Sequence, residues 1–204
     1  MARSILVAIL FLTCACGSST GGTSFNGSIA GNSFSPKDAI FISFTPQAND
    51  SSNDFLSGPQ LYILISDGAN LCDVLKSSQP VKSATVFAGA LFTVNGQTSV
   101  VPAPGTYPVI DLSASSSPAP TTQANRAISV FTKFDSQCNS IFQGQSPTGT
   151  AGKFELTSLS VKAGGHAVGQ FDVNFKADHV IGDFSASYCD VSAPSLTGTG
   201  SCPK

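Results

Sequence analysis

Residues 153 to 189 carry the feature that most narrows what this chain can fold into. Ala167, Gly169, Phe171, Val173 and Phe175 alternate with Gln170, Asp172, Asn174 and Lys176. A period of two is the mark of a strand with one face in a core and the other in water. Val180, Gly182, Phe184, Ala186 and Tyr188 repeat the pattern against Asp183, Ser185 and Ser187. The run before them, Phe154 to Val161, is strand-like too. Its apolar phase slips between Leu156 and Leu159, as a bulge would make it. Turn residues 163–166 and 176–179 separate the three runs, which predicts an antiparallel meander with one wet face.

The rest of the chain extends the same reading. Phe25 to Ile29 is a short strand closed by a turn at Gly31-Asn32, and Ile40, Ile42 and Phe44 alternate in the next one. Gln60 to Ile65 is apolar on both sides and suits a strand covered on both faces. Leu71, Val74 and Leu75 fit one helical turn around Cys72. In the segment 83–94, Ala84, Val86, Ala88, Ala90, Phe92 and Val94 share a side, and Asn95-Gly96 supplies a type I′ hairpin turn before residues 98–101 return. Residues 106–112 read as a strand that Pro108 confines to an edge. Ile128, Val130 and Phe134, with Phe131 opposite, make another. Polar loops are expected at 47–59, 113–125 and 143–152. The fold class is all-β: a single antiparallel β-sandwich, or alternatively a β-barrel, of about eight to ten strands ending in a three-stranded meander.

The first residues are set apart. Arg3 precedes a short apolar run from Ile5 to Leu12, followed by Leu12-Thr13-Cys14-Ala15-Cys16-Gly17. This resembles the lipobox of bacterial lipoproteins, in which a small residue precedes the cysteine that is lipidated. The resemblance implies a signal peptide over 1–15, lipidation at Cys16 (Cys14 as the fallback), a flexible tether over 16–24 and a domain over 25–204. Gly17 beside the cysteine implies passage to the outer membrane, facing the periplasm or the surface. Thr13 departs from the leucine preferred there, and a cleaved signal without lipid is the alternative. Cys72, Cys138, Cys189 and Cys202 then remain, an even number that reads as disulfides in an exported chain. Three pairings are open, and Cys189–Cys202 with Cys72–Cys138 is the favoured one. A four-thiolate zinc site is the rival, but no C-x2-C pair supports it.

Function classes narrow by chemistry. The formal net charge is -2 and no basic cluster occurs, which argues against nucleic acid. No apolar run reaches the length of a membrane-spanning helix. Gly144-Gln145-Ser146-Pro147-Thr148 fails the nucleophile-elbow pattern at its last position. His166 and His179 fall in expected turns, thirteen positions apart, without metal-ligand spacing. Asp50, Ser52 and Asp54 start like a calcium loop, yet Phe55 stands where glycine is needed and Leu61 where glutamate is needed. Asp172 and Asp183 are the one carboxylate pair that could face each other, and two solvated strand positions is the plainer reading. A sugar-binding module would present flat aromatic rings. The chain has no Trp, three Tyr (Tyr62, Tyr107, Tyr188), and Phe at core-like positions.

The lipobox, the stretch Gly27 to Ala39, the mid-chain cysteine, VGQFDVNF at 168–175 and IGDFSASYC at 181–189 together resemble uncharacterised lipoproteins of myxobacteria and related Gram-negative bacteria. That resemblance brings no catalytic residue, cofactor or metal. The expectation is a non-catalytic envelope lipoprotein, held to the membrane by its lipid, with a protein or glycan partner. A carbohydrate or small-ligand module is the alternative, and a hydrolase is the reading ranked last.

Overall fold

The computed structural model describes residues 22–45, 58–95, 98–112, 124–143 and 145–191. Its strands are β1 (Asn26–Gly27), β2 (Asp38–Phe44), β3 (Gln60–Ser66), β4 (Thr85–Asn95), β5 (Thr98–Val100), β6 (Gly105–Pro108), β7 (Ala124–Lys133), β8 (Ala151–Leu159), β9 (His166–Phe175) and β10 (Asp178–Tyr188), with one short helix, α1 (Leu71–Lys76). They form a single sheet in the order β5-β4-β3-β2-β10-β9-β8-β6, with β7 paired to β4 and β1 to β10. The all-β class is therefore observed. Of the two arrangements weighed, the sheet is nearer the barrel, because its ends meet. Val109 bridges Ala127 in parallel, Ile110 N donates to Ala127 O at 2.9 Å, and Phe131 N donates to Pro147 O at 2.9 Å. One neighbour pair, β2 with β10, runs parallel, whereas the expectation was antiparallel throughout.

The meander folds as its alternation dictates. Ala167, Gly169, Phe171, Val173 and Phe175 all point into the core, and Gln170 and Asn174 are exposed. The register slip of β8 falls between Leu156 and Ser158, where the phase shift placed it. The barrel interior is filled largely by rings: Phe25, Phe34, Phe41, Phe87, Phe131, Phe154, Phe171, Phe175 and Phe184 lie in one cluster. Glycines make the room. A Cβ on Gly89 would sit 2.4 Å from the Phe154 ring, and one on Gly169 would sit 2.6 Å from Phe184. Tyr107, fully buried, uses its hydroxyl to donate to Ala103 O and to accept from Ala103 N, so its polar end is satisfied inside an apolar core.

A second apolar cluster lies outside the barrel wall. Ile40, Ile42, Leu64, Val86 and Phe134 pack there with Leu71 of α1 and Cys189. This explains why β3 is apolar on both faces: Leu61, Ile63 and Ile65 face inward and Leu64 faces this cluster. Asp38 Oδ2 accepts the Leu71 N–H at 2.7 Å, tying the start of α1 to the start of β2.

The structure also settles which faces are inward and corrects several expectations. On β7 the inward residues are Ala127, Ser129 and Phe131, while Ile128 and Val130 are half-buried on the opposite, outer face, the alternation that the sequence showed. On β4 the inward set is Phe87, Gly89 and Leu91, so the side that Val86, Ala88 and Ala90 share is the outer one. Asn95 pairs with Thr98 within the hairpin strands instead of standing in its loop, and residues 96–97 lie outside the described residues. The segment 145–150 lies outside the strands, as expected of a loop, but Gly149 N donates to Ser129 O and Thr150 N to Asn174 O, helping to close the barrel, and residues 151 and 152 already belong to β8. Thr23 and Ser24, assigned to the tether, already bond to β10. Cys72 is joined to Cys189, with Cα atoms 5.6 Å apart, which overturns both favoured pairings and excludes zinc held by all four thiolates. Cys138 is also disulfide-bonded. The lipobox-like residues with Cys14 and Cys16, the calcium-like residues 50–54, most of the expected loops 47–59 and 113–125, and Cys202 lie outside the described residues.

Candidate functional site

Because alternate residues of a strand share a face, the polar positions of β8, β9 and β10 come together on the outside of the barrel. Register then fixes who meets whom. Glu155, Gln170 and Asp183 form one row across the three strands, and Lys153, Asp172 and Ile181 form the next, continued by Asn26 of β1. These side chains, with Phe171 and Gly182, line a depression of about 340 Å³. Asp172 and Asp183 thus share a concavity, as diagonal neighbours.

The charged groups there are engaged with one another. Lys153 pairs with Glu155, and the Gln170 amide donates to the same carboxylate. His179 Nε2 lies 2.8 Å from Asp172 Oδ1, with both side chains about half exposed at 53% and 51%. Ser24 Oγ donates to Asp183 Oδ2 at 3.2 Å and accepts from Asp183 N at 2.9 Å. The hydrogen bond from Lys153, then that from Gln170, holds the Glu155 carboxyl below its usual value, and the hydrogen bond to Glu155 raises Lys153. Pairs this open to water are screened and each stabilises little. A glycosidase couple needs one carboxyl kept protonated by burial or by a like charge. Glu155 is displaced the other way, by its hydrogen bonds from Lys153 and Gln170.

The remaining candidates are dispersed. His166 opens β9 and His179 sits second in β10, so neither is in a turn, and His179 meets Asp172 across the hairpin, not the adjacent Asp178, which accepts the Ala30 N–H. Asp67 Oδ1 accepts the Thr85 N–H, and Asp135 Oδ1 accepts the Gln137 and Asn139 N–H groups. Those backbone bonds, that from Asn139 foremost, lower the Asp135 pKa. Asp111 follows β6, and none of these three acids lines the depression. Tyr62 is partly buried, bonded to Gln60 Oε1 and packed on Phe44, while Tyr188 packs on Phe41, so none of the tyrosines stands as an open flat platform. The sequence marked Asp172 and Asp183 but missed Lys153, Glu155 and Gln170. The outward phase of their strands was the available signal.

No protein-family model matches this chain, and no curated protein or solved structure matches it either.

Proposed function

We propose that this chain is an exported, lipid-anchored protein whose barrel serves as a non-catalytic binding or interaction scaffold in the bacterial envelope. The observation that carries the reading is the disulfide between Cys72 and Cys189, with Cys138 bonded as well, because such bridges persist in oxidising compartments. A leader ending in Cys14-Ala15-Cys16 supports the same destination. Intact-mass measurement of the membrane-fraction protein is expected to show an acylated chain starting at Cys16 and free of thiols. Cys16→Ala is expected to move the protein to the soluble fraction, and its retention in the membrane would overturn the anchor.

A small polar ligand is the second reading, favoured by the depression on β8–β10, where amide, carboxylate and ammonium groups surround the half-exposed Ile181. A glycan array probed with the protein and with Gln170→Ala tests it. Binding that the substitution weakens at least tenfold supports this reading, and an array without signal removes the glycan form of it.

A further inference from the structure

We infer that the turn joining β8 to β9, residues 160–165, is the part of the barrel that rests on the phospholipid surface, Val161 at the headgroup boundary and Lys162 among the phosphates. The inference rests on the anchor at Cys16 proposed above and adds which end of the barrel faces the bilayer.

The direction of the N-terminal arm decides it. Gly27 and Asn26 pair with Val180 and Ile181, Ser24 N donates to Asp183 O at 2.9 Å, and Thr23 Oγ1 accepts the Ser185 N–H at 3.3 Å. Traced back toward Cys16, the arm therefore climbs along β10 toward its C-terminal end. At that end Ser187 faces His166, and Tyr188 N donates to Gly165 O, so the β8–β9 turn overhangs the place where the arm leaves.

Chain length forbids the opposite orientation. Six Cα steps separate Cys16 from Gly22, which span at most about 22 Å in any conformation. The far end of β9, Phe175 before the turn at Lys176-Ala177, lies nine residue steps from His166, roughly 30 Å. To set that end on the bilayer, the tether would have to run back past the seven steps from Ser185 to Asp178, about 23 Å, and still reach the lipid. The near end has suitable chemistry. Val161 is 44% exposed, and Lys162, Ala163 and Gly164 are exposed beside it. An apolar side chain next to a cation is what an interfacial contact uses.

The chain contains no Trp, so a single introduced one reports without background. Val161→Trp, Lys162→Trp and Ala177→Trp are to be made in the full lipidated protein. Each is reconstituted in phosphatidylethanolamine–phosphatidylglycerol vesicles carrying brominated acyl chains. The expected result is a blue shift and quenching several-fold stronger at 161 and 162 than at 177, which keeps its aqueous spectrum. Equal quenching at both ends would mean a barrel lying on its side, and quenching at neither would mean a turn held off the surface; either overturns the inference. A chain that does not float with the vesicles refutes the anchor and this inference with it, whereas a floating chain quenched at neither end refutes this inference alone.

Discussion

At the scale of single residues the barrel is a fit between rings and absent side chains. Phe is too large for a small barrel unless positions across the interior are small, and Gly89, Gly169 and Ser129 are the positions that yield. Gly89→Val places carbon against Phe154 in a filled core. It is expected to cost about 1–3 kcal/mol in urea unfolding, with the all-β circular dichroism retained. The same logic explains which face of β7 turns inward. Alternation sets Ile128 and Val130 opposite Phe131 without saying which side is inward, and the interior next to Phe131 and Gly89 takes Ala127 and Ser129, whose small size suits it. On the wet face, Glu155 has its pKa depressed by Lys153 and Gln170, so its stabilising contribution is present above the ordinary carboxylate range. That contribution is lost as pH falls through the depressed value. Lys153 is raised, so its share is present below its ordinary value and lost as pH rises through the raised one. Glu155→Gln is accordingly expected to lower Tm slightly at neutral pH and to leave it unchanged at strongly acid pH, where the wild-type carboxyl is protonated. Thermal melts across pH check this.

At the scale of elements, strands with one wet face revealed which face is inward, whereas strands with two dry faces revealed only that both are covered. β9 and β10 announce their phase because polar residues stand opposite the core residues at almost every step. β3 and β4 do not, since the outer cluster around α1 makes both of their faces apolar. The helix itself is six residues long and cannot hold by propensity alone. It is secured by Leu71 in the outer cluster, by Asp38 at its first turn and by the bridge from Cys72 to Cys189. That bridge closes a span of 117 residues, so its removal frees much of the unfolded chain. Cys72→Ser with Cys189→Ser is expected to lose roughly 2–5 kcal/mol in denaturant unfolding. Hydrogen exchange is expected to rise first in α1 and at the end of β10, and a loss spread evenly over the barrel would contradict this role.

At the scale of the whole molecule, the joins that close the barrel link residues far apart in the chain. β10 runs parallel to β2, and Val109 meets Ala127. The disulfide follows from the first of these joins, because Cys189 N donates to Phe41 O and thereby lies within reach of α1. A non-reducing peptide map is expected to return Cys72 linked to Cys189 and Cys138 in a second bridge. Cys202 is the one cysteine after Cys16 left to complete that bridge, and a Cys189–Cys202 peptide would contradict the fold. The depression on β8–β10 was legible in part: alternation marks Asp172 and Asp183 as outward, but only register brings Glu155 and Lys153 beside them. By itself the sequence determined the all-β class, the meander, its bulge and the turn of helix, since each follows from hydropathy repeating over neighbouring residues. Tertiary structure alone decided the closure, the parallel join, the cysteine partners and the inner face of β4 and β7. These depend on which distant strand lies alongside and how much room its side chains leave, and no local repeat encodes that.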